Sequence, residues 1–589
     1  MHGMEAKLNI NERTRDVYEY NPAYPKPPLI PLPDADDIDL LIREMNFKSA
    51  GITRILLKIL LRMNGLRSYI KQLPQNLEKV LRTSDTRGGA LNGLIVSATV
   101  ALADDPAKSD YLDRAVSLIL GARSLHEDIS SGKLAADEFR GQVLEMGQYP
   151  NFFSTTQVIE GRQARIFKSS RSDLVTIIVH GHFFQISISG LEATQLRSAL
   201  EEVVRLASVA GKDEPCISPG ILTCASRPVQ MRAFNLMRQD EENRRSLDLI
   251  RHSFLILALD TEDRPADAAE AAKLTHSANN QNRWFHHSLQ LVVFANARVG
   301  AVCNFSTFLD GNIMMRGAAE IQRRAAAVVI EGSGRTPTLP EITELKWRVP
   351  KPALERARRE IQRLLVDQPA TYIIEDFGTD YFSRTKLDAT ATFVMALQMA
   401  SRKITGRHIQ ITQFLTMSKF RCMSLATAVV TTDEVNRFVE YMDQRQPEKS
   451  YALELLQKAN AAQAERSRQA RKSMPFYEVY GYYLLSLGGF KRIVISMFTM
   501  AYLYLMRKLK LFNPQQREAL ISFPEIFPEV PILGRPGVRL PYVKYFGLHY
   551  QIFADRIGIT YMPGLEWKTD NATLTREIEE ALQRISDLT

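Results

Sequence analysis

Two periods of apolar and polar residues alternate along this chain, and the switch between them marks out its elements. Ile38 to Met45 and Ile52 to Leu61 place apolar side chains three and four apart, which predicts one buried face of a helix in each. Residues 85–103 (DTRGGALNGLIVSATVALA) read as a further, more buried helix, and 110–145, rich in Leu, Ile, Ala and Glu, continue the helical pattern. The period then shortens. LVTIIVHGHFFQISI (174–188) is β-branched and aromatic-rich and predicts strand, turn and strand. FLILALD (254–260) and LQLVVFANARVGAVCNFS (289–306) repeat that signature, the second as two strands joined at Ala297–Arg298. Lys351 to Asp367 returns to helix, with Leu354, Ile361, Leu364 and Leu365 on one stripe. Pro350 and Pro352 stand near its start, where a missing N–H does no harm. Residues 390–405 and 451–473 are helical, and the C-terminal stretch passes through strands (YVKYFGLHYQIF, IGITYM) to a last helix, TLTREIEEALQRI. Ahead of all these, 16–37 is rich in proline and aromatics. Proline fixes φ and removes an amide donor, so this segment is expected to lie extended along a surface. No short internal repeat is evident, and the chain reads as mixed α/β.

One apolar run asks whether the chain meets a membrane. Ile493 to Met506 (IVISMFTMAYLYLM) has 14 residues between Lys491–Arg492 and Arg507–Lys508. A bilayer span needs about 20. A buried core helix is therefore expected and membrane contact is not; attachment at a membrane surface is the alternative.

Composition narrows the class. The chain has 589 residues, 45% apolar and 24% charged, which excludes wholesale disorder and a disulfide-stapled miniprotein. Such a length predicts roughly two to four domains. The net charge of +9 attracts polyanions only weakly at this size. No basic run is interleaved with aromatics, so no nucleic-acid partner is expected. The four cysteines, Cys216, Cys224, Cys303 and Cys422, form no CxxC pair, so no metal is expected. Their scarcity suits a reducing compartment, and MHGMEAKLNINERT lacks the apolar core of a secretory signal. A cytoplasmic protein is the resulting expectation.

Several blocks, taken in order, carry a resemblance. They are PPLIPLP (27–33), GHFFQISI (181–188), PGILTCASR (219–227) with NRRSLDLIRHSFLILALD (243–260), NRWFHHSLQLVVFANARVG (282–300), ATFVMALQMA (391–400) and YFGLHYQIFADRIGITYMP (545–563). Each is degenerate alone. Their shared order and spacing resembles the choline/carnitine acyltransferase family from about residue 25 onward. The resemblance implies an α/β fold of two chloramphenicol-acetyltransferase-like halves with a tunnel at their interface. Coenzyme A would enter from one side and the acyl acceptor from the other. A histidine at the tunnel centre would serve as general base, work suited to a group with pKa near neutrality. Three parts follow: 1–110, an N-terminal extended and helical segment packing with the C-terminal half; 111–348, the first half; and 349–589, the second. The tunnel would be completed within one chain, so a monomer is expected.

At the positions that do the family's chemistry this sequence departs from it. The histidine belongs to a Glu-His-Ser/Thr-x-x-Asp/Glu-Gly pattern after the fourth block. Counting forward from Gly300 puts Phe305 there; counting back from Asp310–Gly311 puts Ser306 there. Phenylalanine accepts no proton, and a serine hydroxyl is a poor base unless activated. The family's Ser-Thr-Ser cluster maps to Ile532, Leu533 and Gly534. Loss of one such donor costs about 3–4 kcal/mol in a transition state. The carnitine-binding Gly-Arg-Thr maps to Met423, Ser424 and Leu425, and its tyrosine to Thr412, so carnitine loses its recognition groups. After Phe377–Gly378 the two coenzyme-binding lysines are replaced by Thr379 and Ser383, with Arg384 and Lys386 close enough to substitute in part. Free coenzyme A is thereby a weakened expectation. These losses fall on base, intermediate, acceptor and cofactor positions while the apolar framework persists.

Candidate residues follow from the same positions. Ser306 and Asn304 are the candidate catalytic groups, each with a structural alternative: a satisfied polar residue at a strand end, or a turn cap. Asp310 and Gly311 are read as structural, the resemblance implying an ion pair between the acid and an arginine. Arg384 and Lys386 are the candidate cofactor-binding groups. His286 and His287, adjacent on a predicted strand, would face opposite sides, so only one could replace the lost base. His180 and His182 could share a strand face but have no third ligand nearby. Cys303 reads as an inert buried thiol, and the basic stretch 465–472 (ERSRQARK) as a solvated face, with docking of an acidic carrier protein as the alternative. The expected function is acyl transfer, or a related acyl reaction, on an acyl thioester or acyl-carrier protein without the usual histidine base. That would not be a carnitine acyltransferase of the usual mechanism. Two alternatives stand beside it. One is a catalytically silent scaffold that binds a ligand or partner, with Phe305 or Phe308 filling the tunnel. The other is a surface-binding role for residues 476–506.

Overall fold

The structure, a computed structural model, describes the chain except residues 1–20, 45–50, 64, 84–96, 140, 162, 214–217, 278–279, 305–306, 308, 331–338, 366–369, 423–424, 445, 512–518, 523–534, 537–543, 565 and 568. Ser306, Phe305, Phe308 and the Ile532–Gly534 positions therefore lie outside the described residues.

The strongest β signals build the first sheet. Its order is Ile342–Leu345, His182–Ser187, Leu174–Val179, Leu255–Asp260, Leu289–Phe294, Val299–Asn304, Ser97–Ala101 and Arg535–Pro536. The three central strands run parallel, and every residue of each is buried. That explains their unbroken apolar sequences, since a parallel strand is covered on both sides. On one face lie the helices Tyr111–Ser131, Ala193–Asp213 and Gly311–Ala326, packed over Val175, Leu257, Leu291 and Ala301. On the other, Arg227–Met237, Glu241–Arg251 and Lys351–Leu365 cover Ile178, Ile256 and Val302.

The second sheet runs Ala370–Glu375, Arg556–Pro563, Phe546–Ile552, Ala519–Ser522, Ile411–Thr416 and Leu425–Val429. The helices Ala389–Thr405 and Asn571–Ser586 pack on one face, where Phe393 stacks on Tyr550 with ring centroids 4.2 Å apart. Four N-terminal helices, Ile38–Glu44, Gly51–Met63, Leu66–Gln72 and Leu77–Thr83, join this same core through Leu41, Leu57, Ile70 and Leu81. Residues 25–34 run without helix or strand, as the prolines require. The backbone there accepts from Arg421 N–H at Pro28 (3.0 Å) and from Met474 N–H at Pro31 (2.8 Å), while the Tyr24 hydroxyl donates to the Leu134 carbonyl (2.7 Å).

Two expectations are corrected. Within 85–103, residues Ser97–Ala101 form a strand, not a helix, between Val299–Asn304 and Arg535–Pro536. Edge-on pairing to both neighbours outweighs the local helical spacing. The run 493–506 is helical, within Gly489–Lys508, but it is not a buried core helix. Thr499 and Met506 are buried, whereas Ile493, Met497, Met500 and Tyr504 are exposed by 59%, 67%, 68% and 61%. Its neighbours cover one side only. Among the described residues no helix is long and apolar enough to cross a membrane.

A buried ion pair locks the first sheet to its surroundings. Arg283 and Asp260 are both fully inaccessible. The guanidinium grips the carboxylate at 3.1 and 2.8 Å and donates further to the carbonyls of Thr275, Leu274 and Asn282. A strand end, a helix end and a loop are held by one side chain whose donors are spent. Removing one partner strands the other charge in an apolar interior, at about 3–5 kcal/mol. Arg283→Met is expected to lower unfolding stability by that amount in denaturant titration, and adding Asp260→Leu to restore most of it; a single substitution without effect would refute the role.

Candidate functional site

The candidate site is built where the end of the first sheet meets the second sheet. Val299–Asn304 leads through Thr307 into the helix Gly311–Ala326. Asp310 caps that helix: its carboxylate accepts the Gly311 N–H (2.7 Å), and its own N–H donates to the side-chain amide oxygen Oε1 of buried Gln148 (2.8 Å). The same carboxylate accepts from Ser418, across the junction, at 3.3 Å. Asp310 thus starts the helix and reaches across to Ser418. Beside them the Asn312 amide donates to the Thr416 hydroxyl at 3.1 Å. Buried Glu145 completes the seam, accepting from the Gly147 N–H (2.6 Å) and from the Cys422 N–H of the second half (2.8 Å). Cys422 meets it in a left-handed conformation, φ 62°.

Asn304 is almost fully buried, and its amide nitrogen donates to the His286 carbonyl at 3.1 Å. That carbonyl also receives the Gln157 N–H and the Thr156 hydroxyl. One amide hydrogen of the candidate catalytic residue is therefore committed to the scaffold.

The adjacent histidines do not sit within a strand; they precede Leu289–Phe294, and both are buried. His287 Nε2–H donates to the Ser253 carbonyl (2.8 Å), and Nδ1 accepts the Leu289 N–H (3.3 Å). The His286 ring lies against Phe234 and Trp284. Burial pushes the two imidazoles down to about 3 for His286 and about 4 for His287. Both serve the fold. His180 occupies a turn at φ 50° and meets Thr261, while His182 stands 4.0 Å from Glu344, so the two do not share a strand face. Burial pushes the Cys303 thiol up to about 12, which leaves it inert at neutral pH. Arg466, Arg468 and Lys472 are exposed.

Phe377–Gly378 closes tightly on the turn after Phe546–Ile552. A Cβ at Gly378 would lie 2.0 Å from the Ala554 carbonyl oxygen, so glycine is required there for packing. Arg384 and Lys386 follow at the exposed end of the helix Thr379–Thr385, with Lys386 as its left-handed cap at φ 57°.

A further group comes from strand alternation. On the second sheet Phe546, Leu548, Tyr550 and Ile552 face the helices. Gly547, His549 and Gln551 must then face the other way. Backbone pairing carries this second face from Thr371 through Thr560 to His549, and the strand Ala519–Ser522 links Phe546–Ile552 to the strand that holds Thr412. Thr416 belongs to it by alternation from Thr412, and Thr416 is what Asn312 of the first half touches. At the middle of this face polar groups are closed to solvent, with Thr412, Gln551 and Thr560 1% exposed and His549 6%, while Ile373 on the edge strand is 42% exposed. The Thr412 hydroxyl has no hydrogen-bond partner among the described residues. Burial pushes His549 down to about 4. The sequence reading did not single this histidine out, although the alternation in YFGLHYQI was there to read.

Residues 92–478 match the Choline/Carnitine o-acyltransferase family, and the chain belongs to it. It has the family's general acyltransferase fold. It is 25% identical to mouse choline O-acetyltransferase over 398 residues, covering 62% of this chain and 61% of that protein. It is also 25% identical to rat carnitine O-acetyltransferase over 388 residues, covering 61% of each. The chain thus matches about three-fifths of the length of these curated relatives. A solved trichothecene 15-O-acetyltransferase from Fusarium sporotrichioides is 11% identical, with 83% of this chain and 91% of that one covered at a TM-score of 0.40, too remote to argue from.

Three rings buried neutral make stability depend on pH. Unfolded imidazoles bind a proton near 6.5, whereas His286, His287 and His549 do so only near 3–4. Between those values the unfolded chain holds more protons, so stability falls as pH falls from about 6.5 toward 4. Asp137, pushed up to about 6 by burial, opposes this over its own lower range. His549→Gln should flatten the slope of unfolding free energy against pH near pH 5 by about one proton's worth, roughly 1.4 kcal/mol per pH unit. An unchanged slope would show that the ring is accessible.

Proposed function

We propose that this protein binds an acyl thioester between its two halves and transfers or otherwise processes the acyl group without an imidazole base. The observation that carries the reading is the buried Thr412 hydroxyl on a polar, enclosed sheet face, with no protein partner among the described residues. A silent scaffold would gain from an apolar junction, because burying a hydroxyl without a hydrogen bond is costly. A ligand carbonyl or acceptor group bound against that face would relieve the cost. Thr412 stands where the family resemblance puts an acceptor-binding tyrosine, so this reading keeps the place and changes the acceptor.

His549 faces the same side, yet an imidazole held near 4 is a weak proton acceptor at neutral pH. Catalysis then rests on proximity and on an acceptor, an amine or thiol, that needs little assistance. Ser306 is the proposed polar group at the old base position and Asn304 a strand anchor beside it. Arg384 and Lys386 are proposed to meet donor phosphates at the second half's surface. The division into 1–110, 111–348 and 349–589, with a tunnel between the last two, is proposed as the working architecture in one chain and in a reducing compartment, with Ser97–Ala101, Lys351–Leu365 and Arg535–Pro536 crossing these bounds to join the first sheet and its covering.

Mass spectrometry of the full chain with acyl thioesters of pantetheine, coenzyme A and a carrier protein, each with candidate amines and thiols, tests the reading. Acyl transfer is expected with a non-carnitine acceptor, and Thr412→Val is expected to lower kcat/KM about tenfold, the worth of one hydrogen bond. No thioester consumed with any donor would leave the scaffold reading.

A further inference from the structure

Helix Gly489–Lys508 is apolar on both sides, and only one side is covered. Ile495, Tyr502 and Leu503 face the core. Two hydroxyls fix that orientation: Tyr480 donates to Thr499 at 2.7 Å, and Tyr502 donates to the Leu56 carbonyl of the helix Gly51–Met63. The opposite stripe holds Phe490, Ile493, Met497, Met500 and Tyr504 in solvent, with Phe490 81% exposed. The neighbouring helix repeats the arrangement. Thr53, Leu57 and Leu61 are buried, while Ile52, Ile55 and Ile59, spaced three and four apart, are exposed by 41–57%. Two adjoining helices therefore turn apolar stripes outward, a larger display than isolated surface hydrophobics.

Charge selects the occupant. Helix Gly489–Lys508 contains no acidic residue, and Lys491, Arg492, Arg507, Lys508 and Lys510 are all exposed near its two ends. Among the described residues none of the five forms an ion pair; Lys508 instead lies 5.5 Å from the Tyr504 ring centroid. An apolar stripe bounded by cations at both ends suits a helix lying in the plane of a lipid interface, side chains among acyl chains and cations among phosphates. A protein partner with an acidic rim is less well matched, because the apolar stripe runs the length of the helix.

We propose that helices Gly51–Met63 and Gly489–Lys508 form a monotopic docking face for an anionic phospholipid surface. The inference does not depend on the chemistry at the junction of the halves. It is tested by co-sedimentation of the full chain with phosphatidylserine–phosphatidylcholine vesicles and with phosphatidylcholine vesicles alone. Binding to the anionic vesicles, weakened by salt, is expected. Met497→Glu combined with Met500→Glu should reduce it by about tenfold or more, since charge is placed where apolar side chains would enter the lipid. Both positions are exposed, so thermal unfolding should be unchanged. As a second readout, the emission of Phe490→Trp should shift to the blue on addition of anionic vesicles. No partition into anionic vesicles, equal partition into neutral ones, or binding unaffected by the double substitution would overturn the proposal. So would a concentration-dependent dimer abolished by the same substitutions in a chain that ignores vesicles, which would assign the face to a second copy.

Discussion

A carboxylate can be buried only where donors meet it, and two such carboxylates hold the halves of this protein together. Glu145 and Asp310 both belong to the first half, and each accepts a hydrogen bond from the second, from the Cys422 N–H and the Ser418 hydroxyl. Each carboxylate also holds a donor on its own side, the Gly147 N–H for Glu145 and the Gly311 N–H for Asp310, so the seam is met by side chains already fixed in place. The seam therefore fixes where the second sheet's polar face stands relative to the end of Val299–Asn304. The arrangement of the candidate site is a consequence of that constraint.

Behind the seam the framework is rigid. Arg283 spends its donors on Asp260 and three carbonyls, and helix Ala268–Ser277 comes so close to the sheet that a Cβ at Gly300 would lie 1.8 Å from the Thr275 hydroxyl. The imidazoles that remain at His286 and His287 are bound into the first half's interior, and the one on the junction face, His549, is held neutral by burial.

Much of this was legible in one dimension. LVTIIVHGHFFQISI and LQLVVFANARVGAVCNFS announced buried strands because a parallel strand covered on both faces needs apolar residues throughout. Ser97–Ala101 was misread because five residues of mixed propensity take whichever structure their neighbours offer, and here two strands offered a slot. The pairing of His180 with His182 failed because the turn between the strands begins at the first of them. The cap that Asp310 makes on Gly311–Ala326 and its contact with Ser418, 108 residues away, were not legible in the sequence, because the partner is set by tertiary packing.

The sequence by itself determined most of the elements and the family, since periodicity and residue identity are local properties. Only the tertiary structure decided which faces are enclosed. It turned His549 and Thr412 toward the other half and left Phe490 and Met497 in water. An apolar helix reads the same whether its outer stripe is buried or bare, because burial is set by what packs against it from elsewhere in the chain.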